Sequence, residues 1–243
     1  MPEVDLPQRI EILGSVPPFS VLDGGGLQDL ASNVSSASFR TGDVIFREGE
    51  TADACFVVTS GHVRVSVHGP TQRRRMIGVV GPKQVFGVLG VVDHGPRVMD
   101  AEAIEDCRLL AVSAELFWRT VETHVAFARR VIELIGQRLR RADDAMRDLV
   151  FYDASARLAR RLLDLAEAHG RTSETGVLIE ARMTQSELAQ MAGMSRASVS
   201  LLLITFAREG WVDWNDGMPI LLRPDLLLGH AGEVTDVPSS PRG

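Results

Sequence analysis

The longest hydrophobic stripe in the chain runs through its middle. Val131, Ile135, Leu139, Ala142, Met146 and Leu149 recur in steps of three and four, while arginine and aspartate fill the positions between them. That period predicts a long helix, from about His124 to Leu149, with one apolar face. Such a stripe has to pack on something, either a symmetric partner helix or the chain's own β-domain; its length favours the partner. Phe151-Tyr152-Asp153 then breaks the period, and Asp153 is placed to cap a following helix, Ala154 to about Ala168.

Upstream the texture is different. Asp43 to Phe46, Ala54 to Thr59, His62 to Val67, Met76 to Val80 and Arg108 to Val112 are short runs rich in Val, Ile and Phe, separated by Gly-Glu, Ser-Gly and Gly-Pro breaks. Strands at this spacing predict an antiparallel β-roll, with no helices alternating between them. Residues 1 to about 16 read as polar with no assigned element. Pro17-Pro18 marks the start of ordered structure, Phe19 to Val34, with Leu22, Leu27, Leu30 and Ala31, reads as short helical turns, and Gly24-Gly25-Gly26 among them reads as a loop because no Gly-Lys-Ser/Thr follows to make a phosphate cradle.

Downstream, Gly170 to Thr175 reads as a polar loop and Val177 to Ile179 as a short strand. From Thr184 to Glu209, Leu188, Ala189 and Ala192 form the inner face of one short helix. Val199, Leu202, Leu203, Phe206 and Ala207 form that of a second. Gly193 supplies the turn and Ser195 the second cap, a helix-turn-helix pattern. Trp211 to Trp214 and Pro219 to Leu222 flank a turn at Asp216-Gly217 and predict a hairpin, a wing behind the second helix. The Pro/Ser-rich tail from Gly232 to Gly243 is expected to be disordered.

Composition narrows the reading. The 243 residues are 45% hydrophobic, enough for two modest cores, and no apolar run is long enough to span a membrane, so a soluble cytoplasmic protein is expected. Cys55 and Cys107 lie in separate apolar segments with no metal-ligand spacing and read as core residues; no metal site is expected. The net charge of −6 argues against a generally basic nucleic-acid binder, so DNA contact must come from a local patch. Residues 182 to 208 provide one, with Arg182, Arg196 and Arg208 against Glu187 alone. The common catalytic motifs are absent, and the chain is not expected to be an enzyme.

The order of β-roll, long helix, Phe-x-Asp break, helix-turn-helix and wing resembles the CRP/FNR superfamily of bacterial transcription regulators. The supporting residues are Gly42-Asp43, Glu48-Gly49-Glu50 and Gly61, then Phe86-Gly87-x-Leu89-Gly90, then Gly193-Met194-Ser195-Arg196. The resemblance implies an α+β architecture with a cyclic-nucleotide-binding-like roll over 17–123, a dimerisation helix over 124–150, a winged helix-turn-helix domain over 151–231 and a tail over 232–243. It further implies a homodimer on a palindromic promoter site in double-stranded DNA, with RNA polymerase as a partner and Phe151, Tyr152 and Asp153 as a hinge.

The family motifs map onto a partly altered pocket. Its positions here are Gly87, Val88, Leu89, Arg97, Val98 and Met99, with Ala142 and Asp143 on the long helix. Val88 stands where cyclic-AMP-responsive members carry glutamate, Val98 where they carry serine, and Ala142-Asp143 where they carry Thr-Ser; Arg97 alone remains to hold a phosphate. Each polar group left unpaired costs about 1 to 3 kcal/mol, so three losses weaken binding by roughly two to six orders of magnitude. Cyclic AMP is therefore expected to bind weakly, and another effector or an empty pocket are the alternatives. On the DNA side, Arg196 matches the arginine that reads guanine, while Ala197 and Leu201 suit thymine methyl groups. Thr184, Gln185, Ser195, Ser198 and Ser200 are placed for phosphate or water-mediated contacts. A competing reading is a nucleotide-binding regulatory or enzymatic protein whose C-terminal helices have no DNA role.

Overall fold

The computed structural model describes residues 4–69, 74–215 and 217–232. Two compact units divide the chain, Met1–Leu139 and Arg140–Gly243, and each is taken by itself.

The first unit opens with α1 (Leu6–Gly14) and α2 (Gly24–Asn33). Strands β1 (Ser35–Phe39), β2 (Val44–Phe46), β3 (Ala54–Ser60), β4 (Val63–His68), β5 (Arg74–Val80) and β6 (Val85–Phe86) follow. Next come α3 (Val88–Asp93), β7 (Asp100–Ala103), β8 (Cys107–Ser113), α4 (Ala114–Thr123) and α5 (Val125–Phe151). The strands form two antiparallel sheets, in the orders β1-β8-β3-β6 and β2-β7-β4-β5. In β3 and β8, alternate residues go to opposite faces, as a period of two requires. Val58 and Leu109 meet Phe46, Val63 and Phe86 between the sheets. Cys55, Val57, Leu110 and Val112 meet the helices on the other side, with Leu13, Phe19, Leu30, Phe117 and Phe127. Burial on both faces is why β3 reads as an unbroken apolar run.

Several expectations need correcting. The stretch before Pro17 is a helix capped by Asp5, and Leu13 and Val16 are completely buried. The helical turns expected over Phe19 to Val34 are present, but Gly24, Gly25 and Gly26 are the first turn of α2 where a loop was expected, held by the Asp23 carboxylate accepting from the Gly26 amide at 2.7 Å. Strands β1, β6 and β7 and helix α3 have no counterpart in the predicted elements.

The long helix is confirmed as α5, but its stripe divides. Val131 is buried and Leu134 packs against the first unit's core, with Phe127 beneath them. Exposed instead are Val125, Ile132, Leu139 and Met146, each seven residues from the last, followed by Leu149, Val150 and Phe151. A seven-residue apolar repeat is the spacing of a helix seam.

The second unit continues through α6 (Ala154–His169), β9 (Gly170–Ser173), β10 (Gly176–Ile179), α7 (Gln185–Ala192), α8 (Arg196–Arg208), β11 (Val212–Asn215), β12 (Met218–Leu221) and α9 (Pro224–Ala231). Its sheet runs β11-β12-β10-β9, antiparallel throughout. The expected polar loop from Gly170 is thus largely a strand, paired with β10. The hairpin forms as expected, Asn215 opposite Met218 and Gly217 at φ +79°, with Asp216 outside the described residues. The expected tail, apart from Gly232, also lies outside them. No single described helix is long and apolar enough to cross a membrane; α7 and α8 pass that test only as a pair, bent by 103°.

Candidate DNA-binding surface and effector cavity

The bend between α7 and α8 is built by its caps. Thr184 and Glu187 form a capping box: the Thr184 hydroxyl accepts from the Glu187 amide at 3.2 Å and donates to the Glu187 carboxylate at 2.9 Å, and that carboxylate accepts from the Thr184 amide at 2.7 Å. At the other end Gly193 takes φ +66°, and the Met194 amide donates to the Ala189 carbonyl at 3.0 Å, closing α7. Ser195 starts α8, its hydroxyl accepting from the Ser198 amide at 3.1 Å and lying 2.8 Å from the Ser198 hydroxyl.

This brings the positions expected to read DNA together on one short stretch. Leu188, Ala189, Val199, Leu203 and Phe206 are buried, which turns Arg196, Ala197 and Leu201 outward; Ser198 and Ser200 are half-buried. Arg196 has no carboxylate partner among the described residues. The Thr184 hydroxyl proton and one of the two from Ser195 and Ser198 already have local uses, which leaves one serine hydroxyl and the backbone N–H groups of the helix N-termini to face outward.

The Phe151-Tyr152-Asp153 break is tightly held. Asp153 accepts from the Ala156 amide at 2.8 Å, capping α6, and Arg157 Nη1 donates to the Tyr152 carbonyl at 2.8 Å. Arg160 stacks on the Tyr152 ring at 4.6 Å, pairs through Nε with Asp148 Oδ1 at 2.8 Å and donates from Nη1 to the Ala231 carbonyl at 3.2 Å.

In the first unit, Gly87, Leu89, Arg97, Val98 and Met99 line one cavity, together with Phe46, Gly90 and Arg138. It measures about 10 Å³, room for roughly one water molecule. Val88 does not line it; as the first residue of α3 it is buried in the core shared with Val57, Leu110 and Phe117. Ala142 and Asp143 are exposed on α5 and belong to the other unit. Phe46 and Arg138 were missed because one reads as a strand core residue and the other as a solvated position on a charged helix face.

The buried side chain of Arg97 dominates this cavity. Its Nη1 donates to the Gly87 carbonyl at 3.1 Å and its Nη2 lies 3.3 Å from the exposed Asp53 carboxylate. Burial lowers its pKa, and the negative charge of Asp53 opposes that shift. Gly87 sits at φ +74°, a backbone conformation that favours glycine, and a Cβ there would come 2.8 Å from Arg97 Nη1 and displace the guanidinium. Cys55 is also close enough to feel Arg97, but burial dominates and pushes its thiol up to about 12; Cys107 is pushed up to about 11.

Comparison with known proteins agrees with this geometry. Residues 36–124 match the family described as "Cyclic nucleotide-binding domain" and residues 156–228 the "Crp-like helix-turn-helix domain". The chain is 30% identical over 203 residues to the "CRP-like cAMP-activated global transcriptional regulator" of Mycobacterium tuberculosis, covering 83% of this chain and 90% of that protein. It is 34% identical over 176 residues to the "Cyclic AMP receptor protein" of Thermus thermophilus, covering 72% of this chain and 78% of that protein. The solved structure of FixK2 from Bradyrhizobium japonicum superimposes with a TM-score of 0.73 at 23% identity, over 82% of this chain and 98% of that one, which speaks to the fold. A nucleotide-binding roll followed by a winged helix-turn-helix, at this identity and coverage, places the chain in the CRP/FNR family of DNA-binding transcription regulators.

Proposed function

We propose that the chain acts as a cytoplasmic homodimer that reads a palindromic promoter site and communicates with RNA polymerase. The observation that carries this reading is the start of α8, where Arg196 is exposed, unpaired among the described residues and set in the first turn of the second helix. A guanidinium so placed bonds guanine O6 and N7 in the major groove, a contact that discriminates by about 1 to 3 kcal/mol. The exposed line Val125, Ile132, Leu139 and Met146 supports the dimer, since a second α5 covers a heptad seam and the two-fold axis sets two half-sites.

For the effector, the reading is a pocket with little affinity for cyclic AMP. Arg97 already has the Gly87 carbonyl and the Asp53 carboxylate as partners, and among the described residues no side chain lining the cavity is a carboxylate that could accept from a ribose hydroxyl. The cyclic-AMP-linked names of the two curated relatives favour the opposite outcome, so binding must be measured directly. Selection from random DNA with wild type and Arg196→Ala tests the function: loss of a guanine-containing preference is expected, and an unchanged preference removes the reading. Gel shifts of the selected site with and without cyclic AMP then separate a ligand-independent regulator from a ligand-gated one.

A further inference from the structure

Leu201 is 68% exposed and Ile204 55% exposed, although folding ordinarily buries such side chains. With the exposed Ala197 they sit at i, i+4 and i+7, one ridge on the side of α8 opposite Val199, Leu203 and Phe206. Arg208 continues the line at its far end and Arg196 stands at its start, both exposed and both without a carboxylate partner among the described residues. An apolar ridge bracketed by two free cations suits a surface that is polyanionic at its edges and apolar at points along its floor. The major groove is such a surface, with phosphates on either side and the thymine 5-methyl as its one apolar group.

Spacing sharpens the match. At about 1.5 Å per residue, Leu201 and Ile204 are separated by roughly 4.5 Å along the helix, close to the roughly 3.4 Å between stacked base pairs. We propose that Leu201 and Ile204 read two thymine methyl groups on neighbouring base pairs of each half-site, with Ala197 extending the same ridge toward the guanine side. Ile204 thereby becomes a specificity residue, one that the helix-turn-helix pattern alone did not single out. Cytosine, adenine and guanine at those steps lack the 5-methyl, so the ridge gains no matching apolar contact from them. The inference rests on α8 being the major-groove helix.

The test uses the full-length protein and the site obtained by selection. Each thymine of the half-site is replaced singly by deoxyuridine, which deletes the methyl and keeps every hydrogen-bonding group, and affinity is measured for wild type, Leu201→Ala and Ile204→Ala. One desolvated methyl corresponds to about a fourfold change in affinity. Wild type is expected to lose about that factor at two adjacent positions, with Leu201→Ala insensitive at one and Ile204→Ala at the other. The wild-type arm needs no variant, and both substitutions lie on the exposed side of the helix. If the protein selects a site and depends on Arg196 yet ignores every deoxyuridine, or if both variants keep the full methyl dependence, the thymine ridge is wrong while the DNA reading stands. If no site is selected at all, the DNA reading itself falls.

Discussion

The Arg97 guanidinium lies over the Phe46 ring, 4.2 Å from its centroid, and 5.6 Å from that of Phe56. The cation is thereby stacked on aromatic faces, hydrogen-bonded to Gly87 and approached by Asp53, so the protein itself supplies the partners that an anionic ligand would. Asp53 is 85% exposed, which screens its pull on Arg97 and makes it the partner easiest to displace.

Removing that partner should favour a ligand anion. Asp53→Ala is expected to raise affinity for cyclic AMP or inorganic phosphate by about fivefold, the scale of an exposed ion pair worth about 1 kcal/mol. Titration calorimetry on both proteins reads the change, and equal affinities would show that Asp53 does not compete for Arg97.

The exposed heptad on α5 makes a separate prediction. Ile132→Asp and Leu139→Asp each place a charge on the proposed seam, where it must be desolvated without a partner. Sedimentation should show monomer with unchanged secondary structure; a variant that stays dimeric would move the interface elsewhere.

Asp148 and Arg160 are expected to stabilise the second unit. Asp148 is nearly buried and its charge partner is also stacked on Tyr152. Asp148→Ala removes the one carboxylate from Arg160, which keeps the Ala231 carbonyl and the Tyr152 ring, and should cost about 1 kcal/mol, visible as a lower denaturant midpoint with an unchanged slope.

The two thiols should be unreactive in the native protein. Both are buried, with pKa values pushed up to about 12 for Cys55 and about 11 for Cys107, so almost no thiolate is present near neutral pH. A thiol-specific reagent is expected to label neither at pH 8 until the protein unfolds. Because folding raises these values, the native state holds the thiol protons more tightly than the unfolded chain. The resulting stability is complete below about pH 9 and is lost as pH climbs through 11 to 12. Cys55→Ala should flatten that part of a melting-temperature profile.

Loss of the capping box should act on folding. Thr184→Ala removes an acceptor from the Glu187 amide and is expected to cost about 1 kcal/mol, readable by thermal melting. A large loss of DNA affinity at unchanged stability would instead assign Thr184 a contact of its own.

How much of this was legible in the residues depends on what each element buries. The α7-turn-α8 segment announces itself because Ala189, Gly193 and Ser195 each have one local task that their side chains suit. β3 and β8 carry enough Val, Leu and Cys to be seen. By contrast, β1 spells Ser-Ser-Ala-Ser-Phe and β7 Asp-Ala-Glu-Ala, and their pairing with β8 and β4 overrides weak local preference. Gly26 looked like loop punctuation, yet a Cβ there would come 2.7 Å from the ring of His124, the residue between α4 and α5; glycine leaves room for a side chain far away in sequence. The cavity was half legible, because motif positions identified Gly87, Leu89, Arg97, Val98 and Met99, whereas Phe46 and Arg138 arrive there only through the folding of β2 and α5, and Asp53, just before β3, reaches Arg97 in the same way.

The reach of Arg160 sets the smallest piece of the chain worth excising. One guanidinium holds Asp148 in the last turns of α5 and the Ala231 carbonyl at the end of α9, while Ser155 lies 2.7 Å from the His230 ring and Trp211 packs on that same ring. A fragment cut at Asp153, where the helices part, discards one of these clasps, and one ending at Leu222 discards the rest. A self-standing DNA-reading module therefore has to begin upstream of Asp148 and extend through Gly232.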